Sequence, residues 1–386
     1  MLLENKKIAI VGGGPGGLTL ARLLQLKGVA VKVYERDTNK AARIQGATLD
    51  LHYASGLKAI KTAGLLKAFK DNYRPGAEKG RVIDKHGNIL FDEHAEVTTE
   101  DFDAEHFRPE IDRDALRNIL LDALQPDTVV WDSQFVTMSP IGDAWKLEFK
   151  NGTTATADIV IGAEGANSNI RSFVTPVKPF YAGVVIVQGN VPDAATTIPD
   201  MHHLLQGGKI YAYGNERYLH VSSKGDGSID FYMSSKKDEN WWQNSGIDFS
   251  DRDQVCSWFK NEFPDWDQIW LSLVEHANLP LYLRPQYCMP LDKGWDTLFN
   301  LTLLGDAAHI MPPSGEGVNL AMLDALELSE YLTNGEFKDT QAAIASYEKE
   351  MQHRAASEAR DAMDMTEWMH AEDAQTKFLQ FFGSNT

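Results

Sequence analysis

Gly12, Gly14 and Gly17 form the pattern G-x-G-x-x-G directly after an apolar run at residues 8–11. In this context the first glycine permits a tight turn, the second lets a phosphate approach the backbone, and the third allows a helix to pack closely on a strand. The N-terminus of that helix adds partial positive charge. Glu35 ends the next apolar run, where its carboxylate can accept hydrogen bonds from ribose hydroxyls. The spacing therefore predicts a binding site for a dinucleotide.

Two further glycine turns that could bind a cofactor come later in the chain. The segment GDAAH at 305–309 precedes a proline pair and a glycine-rich helix entry, GEGVN at 315–319. The segment ADIVIGAEGANSNIR at 157–171 joins a buried-strand pattern to another glycine turn. The spacing of the first turn alone does not distinguish one dinucleotide from another.

The elements that must position these residues follow from the spacing of apolar side chains. A strand over 8–11, a helix from Pro15 and a strand over 29–34 predict a βαβ unit, whose parallel strands need a crossover connection. From about 180 to 235, apolar segments alternate with Gly, Asn, Asp and Lys turns, which predicts an antiparallel sheet in a separate layer. A hairpin is predicted over 81–99, and helices are predicted over 56–70, 112–124, 253–278 and 340–382.

Composition excludes several classes of function. The 386 residues, at roughly 100–200 residues per domain, favour two or three structural units. Acidic residues outnumber basic ones by 55 to 37, and the formal charge of −18 argues against a nucleic-acid or anionic membrane partner. No stretch approaches the roughly 18 apolar residues of a membrane span. Cys256 and Cys288 lack metal-ligand spacing and cannot build a disulfide framework, so we expect no metal site and a cytoplasmic location.

The three glycine segments together resemble the class A flavoprotein monooxygenases, which are built like para-hydroxybenzoate hydroxylase. Within that family, most of the chain is similar to the tetracycline-inactivating enzymes of the TetX type. The matching motifs occur in order: VYERD at 33–37, ARI at 42–44, TLDLH at 48–52, PEI at 109–111, GDAAH at 305–309, then MPP and GVN.

This resemblance implies an α/β fold with three parts. The first is a Rossmann-like FAD-binding domain at 1–75, 100–175 and 283–340. The second is an inserted antiparallel-sheet substrate domain at 76–99 and 176–282. The third is a long C-terminal helix, 341–386, that bridges the two domains.

The resemblance also implies non-covalent FAD and assigns residues to it. Asp306 is expected at the ribityl chain, and Arg43 near the flavin and the nicotinamide. Without the resemblance, Arg43, Asp50 and Arg113 would be interpreted as solvated surface charges, as would Arg117 and Arg171. The predicted cofactor-binding residues are Gly12, Gly14, Gly17, Glu35, Arg36, Arg43, Asp50, Arg113, Asp306, Pro313, Gly317, Val318 and Asn319.

In the TetX-type enzymes the antiparallel sheet presents a glutamine, an arginine and a histidine to the substrate. Gln188 aligns with the glutamine, but Lys209 falls at the arginine and Asp230 at the histidine. Lysine lacks the planar fork of arginine, and aspartate reverses the charge and donor character of histidine. Tetracycline is therefore a doubtful natural substrate. The predicted substrate-binding residues are Gln188, Lys209, Tyr211, His220 and Asp230.

The resemblance implies a function as well. NADPH would visit transiently to reduce FAD, and molecular oxygen would form a C4a-hydroperoxide that hydroxylates a phenolic, polycyclic or enolic small molecule, tetracycline-like compounds included. Because the flavin carries the chemistry, we assign no catalytic side chain. Two alternatives stay open: a flavin-bound protein that sequesters a planar ligand, and a related halogenase or dehydrogenase. We expect a monomer that has no nucleic-acid or membrane partner.

Overall fold

The strands of the protein form a parallel sheet, a mixed seven-stranded sheet and smaller antiparallel sheets. The computed structural model describes residues 2–42, 48–95, 100–290 and 293–383, so Arg43 lies outside the described residues. The strands are β1 (Ile8–Val11), β2 (Val31–Tyr34), β3 (Leu49–Asp50), β4 (Gly80–Asp84), β5 (Ile89–Asp92), β6 (Glu110–Ile111), β7 (Val129–Val130), β8 (Phe135–Ile141), β9 (Ala144–Phe149), β10 (Thr154–Ala157), β11 (Ile159–Gly162), β12 (Phe180–Val191), β13 (Lys209–Gly214), β14 (Arg217–Ser223), β15 (Ile229–Lys236), β16 (Tyr282–Cys288) and β17 (Leu301–Leu303).

Helices cover both kinds of sheet. They are α1 (Pro15–Leu26), α2 (Gly56–Thr62), α3 (Leu66–Lys70), α4 (Arg113–Asp122), α5 (Arg171–Val174), α6 (Ala194–Thr197), α7 (Pro199–Leu205), α8 (Trp241–Asn244), α9 (Arg252–Glu262), α10 (Gln268–His276), α11 (Asp306–His309), α12 (Gly317–Thr333), α13 (Thr340–Met369) and α14 (Ala374–Gly383).

A parallel sheet in the order β17-β11-β1-β2-β7 forms the nucleotide-binding unit. All four residues of β1 are buried, because a parallel strand is covered on both faces. Helix α1 begins at Pro15, whose missing N–H costs nothing in a first turn, and it connects β1 to β2. The predicted βαβ unit and the predicted α/β fold class are confirmed.

A second, seven-stranded sheet has the order β16-β12-β15-β14-β13-β4-β5. One face is apolar and packs on the helices of 199–277 in a core that includes Trp258 and Trp270. The predicted hairpin of β4 and β5 joins this sheet through parallel pairing of β4 with β13. Strand β16 also pairs here, with β12, so the domain boundary expected at residue 283 falls inside a strand of the sheet.

The C-terminal segment forms two helices, where the sequence predicted one. Helix α13 starts at its Asp339 cap, whose side chain accepts from the Ala342 N–H, and it packs on α12. A break follows Met369, after which α14 packs on β13 of the seven-stranded sheet. The segment therefore contacts both α12 and the seven-stranded sheet, and its bridging role stays a prediction.

Smaller antiparallel sheets complete the architecture. Strands β8, β9 and β10 form an antiparallel sheet in which β8 and β10 were not predicted. Strands β3 and β6 form a two-residue ladder. The helix predicted over 253–278 is interrupted between α9 and α10. Among the described residues, no helix is long and apolar enough to cross a membrane.

Candidate functional site

The first glycine turn leaves space in front of helix α1. Gly12 has φ +113°, and a Cβ there would lie 2.2 Å from the Ala163 oxygen. A Cβ on Gly17 would lie 2.1 Å from the Gly12 oxygen, so both positions require glycine. At Gly14, by contrast, a Cβ would meet no described atom within 4 Å. The turn is thus tight on its protein side and open at Gly14, which suits the approach of a phosphate.

Glu35 and Arg117 stabilise this turn from its protein side. Glu35 is 4% exposed, and its carboxylate accepts hydrogen bonds from the Gly13 N–H at 2.5 Å and the Asp37 N–H at 3.0 Å. The guanidinium of Arg117 donates to Asp37 at 2.9 Å and to the Lys40 carbonyl at 3.1 Å. Arg117 is 6% exposed, so its interpretation as a solvated charge is wrong. The ribose contact of Glu35 stays a prediction.

The GDAAH segment forms the short helix α11, whose first residue is Asp306. Asp306 is exposed, but protein atoms close to its carboxyl displace part of the surrounding water. This partial desolvation raises the pKa of the carboxyl, against the nearby charges of His309, Arg113 and Arg171, which lower it. Arg113 is the first residue of α4. Its charge acts on Asp306, so the fold brings this predicted FAD contact toward that carboxylate.

Arg171 stabilises the backbone of α11. Its guanidinium donates to the backbone carbonyls of Asp306 and Ala307, each at 2.7 Å, and to that of Ala166 at 3.0 Å. The residue is 7% exposed, so it is not the surface cation that the sequence suggested. Glu164 of the same segment accepts from the Ser168 hydroxyl at 2.6 Å, and burial raises its pKa.

The N-terminus of α12 lies beside Asp306. A Cβ on Gly317, its first residue, would be 3.9 Å from Asp306 Oδ1, and no described side chain caps the helix. Helix α12 packs against α1 so closely that a Cβ on Gly16 would lie 2.9 Å from the Ala321 oxygen. The sequence did not single out Gly16. Two uncapped helix ends, from opposite parts of the chain, therefore belong to one site.

Asn319 anchors α12 to strand β3. Its side chain donates to the Asp50 carbonyl at 3.0 Å and accepts from the His52 N–H at 2.9 Å. Gly56 makes room for it, because a Cβ there would lie 2.5 Å from Asn319 Oδ1.

Of the other predicted contacts, Arg36 and Pro313 are exposed and Val318 is half-buried against the core.

A histidine that the sequence missed joins the same two elements. His52 Nε2 lies 3.0 Å from Asp50 Oδ2, and His52 Nδ1 lies 3.1 Å from Glu316 Oε1. Although burial alone would lower it, these two carboxylates raise the pKa of His52 to about 9. For Asp50, burial is outweighed by His52 and Lys209, and its pKa falls to about 2. His52 therefore bridges two carboxylates as a cation.

The bridge makes stability depend on pH. Because the pKa of His52 is raised from its ordinary value to about 9, its contribution is complete below pH ~6.5 and is lost as pH rises through 9. We expect the gap in unfolding free energy between wild type and His52→Asn, of order 1–3 kcal/mol, to shrink over that window. Urea titrations at several pH values measure it. His202→Asn, at an exposed histidine, should show no such trend, and a constant gap for His52→Asn would contradict the ion bridge.

Lys209, predicted to bind substrate, is occupied by the protein itself. Its ammonium forms an ion pair with Glu110 of β6, and its charge acts on Asp50. The Glu110 side chain is 1% exposed and that of Lys209 13%. Glu110 lies in the PEI motif, but the sequence did not reveal its partner because the pair joins two different sheets.

The predicted substrate-binding residues lie on one face of the seven-stranded sheet, opposite the apolar face. Register places Gln188, Tyr232, His220 and Tyr211 in one row, since each is paired with the next across adjacent strands. The neighbouring row on the same face is Asn190, Asp230, Ser222 and Lys209.

Within these rows the side chains differ in how far they are already bonded within the protein and so in how far they could contact a ligand. Gln188 accepts from Arg284 Nε at 2.6 Å and donates to the Tyr232 hydroxyl at 3.2 Å. Asp230 is 3% exposed and accepts from Asn190 at 2.7 Å, so it faces the protein more than a ligand. Arg284 and Tyr232 carry no sequence signal, because cross-strand register alone brings them to Gln188.

His220 is an uncharged group on this face. Burial first, and the charge of Lys209 second, lower its pKa to about 3. Its Nδ1 is shielded from solvent, while the residue as a whole is half-buried. Its ring centroid lies 5.0 Å from that of Tyr211, which in turn lies 5.1 Å from Phe378 of α14. A neutral imidazole among aromatic rings can hydrogen-bond a ligand without carrying charge.

His309 belongs to the structural support of the site. Its Nε2 lies 2.6 Å from Asp324, which also accepts from Arg354 at 2.8 Å and from the Gly305 N–H at 2.9 Å. Although burial favours the neutral ring, the Asp324 carboxylate raises the pKa of His309. His309 is therefore a core histidine that stabilises the turn before α11.

These features fit FAD. The space at Gly14 and the uncapped start of α1 suit a pyrophosphate, and the open carboxylate of Asp306 suits a ribityl hydroxyl. The uncapped start of α12 would stabilise negative charge at the pyrimidine end of a flavin ring.

Asp306→Ala should weaken FAD binding by about 10- to 100-fold, because hydrogen bonds to a charged group contribute roughly 1.5–3 kcal/mol. Titration of flavin-depleted protein with FAD, followed by flavin fluorescence, measures the change. Asp143→Ala, in an exposed turn, serves as the matched control. Equal affinity of Asp306→Ala and wild type would show that the ribityl assignment is wrong.

Comparison with known proteins agrees with this site. The model of the FAD binding domain family matches residues 5–213 and 284–362. Monooxygenase penA of Penicillium thymicola is 26% identical over 92% of this chain and 92% of its own. The 6-hydroxynicotinate 3-monooxygenase of Pseudomonas fluorescens is 26% identical over 96% of this chain and 93% of its own.

Among solved structures, tetracycline destructase Tet(51) superimposes with a TM-score of 0.72 at 21% identity. The match covers 97% of this chain and 96% of that one. The expected resemblance in fold is thus confirmed.

Proposed function

Because the chain belongs to the FAD binding domain family and is an FAD-dependent monooxygenase, we propose that it hydroxylates a phenolic or enolic ring with NAD(P)H as the reductant. The relative that acts on 6-hydroxynicotinate supports an aromatic substrate of this kind. The bound flavin supplies the oxygen-transfer chemistry, so the protein's task is to bind, orient and exclude water.

The observation that carries the proposal is the row Gln188, Tyr232, His220 and Tyr211. It offers hydrogen-bonding groups and aromatic rings on one face, and Lys209 on the adjacent row links that face to Asp50 of the nucleotide-binding unit. A planar hydroxylated ring lying on this row would therefore be next to the predicted flavin contact. Such placement of the reacting carbon contributes much of the rate enhancement in enzymes that position two reactants.

Individual side chains suit this role. The neutral imidazole of His220 can exchange hydrogen bonds with a substrate hydroxyl, and Arg284 holds Gln188 in one orientation. The ring of Tyr211, covered by Phe378, excludes water from that end of the face. Because the ammonium of Lys209 is paired with Glu110, Lys209 is not a free counterpart of the arginine in TetX-type enzymes. This supports a compact aromatic substrate over a tetracycline.

The reductant is proposed to dock without a domain of its own, since one glycine fingerprint is used by FAD. NAD(P)H is an anion and the chain carries −18, so docking must depend on local cations, of which Arg43 is the predicted one.

The test is a screen of the purified, FAD-loaded protein. Phenols, hydroxylated pyridines, enolic polyketides and tetracyclines are offered with NADPH or NADH in the presence of oxygen. The expected result is accelerated NAD(P)H oxidation with one compound and a product heavier by one oxygen atom. A peroxide assay separates this from uncoupled oxidation. Protein that binds FAD but never oxidises NAD(P)H would favour the sequestering alternative, and a halogenated product would favour the halogenase.

A further inference from the structure

Lys209 of the seven-stranded sheet lies beside two carboxylates of other elements. Asp50 of β3 and Glu110 of β6 stand directly opposite one another in an antiparallel ladder, so their side chains emerge on one face. Glu110 is fully buried, and the Asp50 side chain is 22% exposed. The Lys209 ammonium pairs with Glu110 and acts electrostatically on Asp50.

The two carboxylates need this cation. Like charges directly opposite on paired strands repel, and a buried carboxylate without a partner is unfavourable. The ladder spans only two residue pairs, so little backbone pairing is available to resist that repulsion. Lys209 reaches it from β13, a strand of a different sheet.

The pairing continues on the other side of Asp50. His52 bridges Asp50 and Glu316, the residue before α12. Charges therefore alternate through Glu110, Lys209, Asp50, His52 and Glu316. The series links Lys209 of the seven-stranded sheet to the uncapped start of α12.

We infer that Lys209 is a positioning residue for the flavin, acting through Asp50, and not a substrate ligand. This inference rests on the proposed FAD contact of Asp50. By pairing with Glu110 directly across the ladder, the ammonium offsets the repulsion on the Asp50 carboxylate, and it ties the substrate face to the nucleotide-binding unit. With a side chain only 13% exposed, Lys209 has little surface left for a substrate.

The first test is Lys209→Met in the full-length protein. FAD affinity is measured by fluorescence titration of flavin-depleted protein, and kcat and KM are measured with the substrate found in the screen. We expect FAD to bind about tenfold more weakly and kcat to fall, with KM unchanged within about twofold. An increased KM with unchanged FAD affinity would overturn the inference, because that is the signature of a substrate ligand.

The second test removes the opposing charge. If Lys209 acts by charge balance, Glu110→Gln added to Lys209→Met should restore FAD affinity to within about threefold of wild type, since the repulsion at Asp50 is gone. A lysine that contacted substrate would gain nothing from this change. The double variant leaves no unpaired carboxylate at position 110, so it also keeps the test valid if the single variant folds poorly. No recovery in a folded double variant would overturn the inference.

Two comparisons complete the design. Lys209→Arg keeps the charge and should retain FAD affinity, and Lys178→Met, at an exposed lysine, should behave as wild type. Wild-type protein that takes up no FAD would refute the proposed function itself. Wild-type protein that binds FAD and turns over substrate, together with a Lys209→Met variant of equal FAD affinity, would refute only the role of Lys209.

Discussion

Gly14→Ala should abolish most FAD binding while leaving the flavin-free protein as stable as wild type. Gly14 has φ −80° and ψ 177°, which alanine adopts readily, and its Cβ would point into space free of described atoms. Stability should change by no more than ~0.5 kcal/mol. The methyl group would, however, occupy the space through which a pyrophosphate approaches the backbone. We expect at least a tenfold loss of affinity in an FAD titration.

Gly17→Ala is the matched control with the opposite expectation. Its Cβ would lie 2.1 Å from the Gly12 oxygen, which is backbone and cannot rotate away. We expect a loss of ~1–3 kcal/mol or more in the unfolding free energy of the flavin-free protein, together with weaker FAD binding. Urea denaturation of both variants separates the two effects. If Gly14→Ala bound FAD normally, the pyrophosphate would not lie at this turn.

Asp324→Ala should be among the most destabilising single substitutions outside the glycine turn. Asp324 is fully buried and accepts from His309, Arg354 and the backbone N–H of Gly305. Its loss would leave the His309 ring nitrogen and the Gly305 N–H without their acceptor in the interior, and would remove one acceptor from Arg354. Removing one partner of a buried ion pair typically costs ~3–5 kcal/mol.

Glu327→Ala provides the comparison for this prediction. Glu327 bonds the same Arg354, at 2.8 and 2.9 Å, but its side chain is 24% exposed. We expect this variant to lose only about 1 kcal/mol, since water replaces the lost partner. Urea denaturation of the flavin-free variants measures both. Equal losses for the two would show that burial of Asp324 adds nothing.

The nucleotide-binding half of the site could be predicted from sequence because its signals are local. A glycine turn between a buried strand and a helix dictates its own geometry within about ten residues, and the repeated pattern at Gly317 does the same. Gly16 was missed because its need for glycine comes from α12, a helix that packs on α1 from the far end of the chain.

The substrate face was predictable only in part. Alternation of side chains placed Gln188, Tyr211 and His220 on a sheet, and register put them in one row. What each side chain bonds to could not be deduced, since the pairs Gln188 with Arg284 and Lys209 with Glu110 depend on which strands become neighbours. The break before α14 was missed for a similar reason, because it allows Phe378 to meet the sheet.

The order of synthesis gives the sheet topology a consequence for cofactor loading. Strand β17 pairs with β11 at the edge of the parallel sheet, and it leads directly into α11 and α12. Until residues 301–333 have left the ribosome, the nascent chain lacks Asp306, the second uncapped helix end and the helix that packs on α1. Strand β11, which pairs with β1 on one side, therefore keeps its other edge unpaired until β17 emerges, and such an edge is prone to aggregation. We therefore expect FAD capture to be a late event in the biogenesis of this protein, and a supply of free FAD at that stage to raise the yield of folded chain.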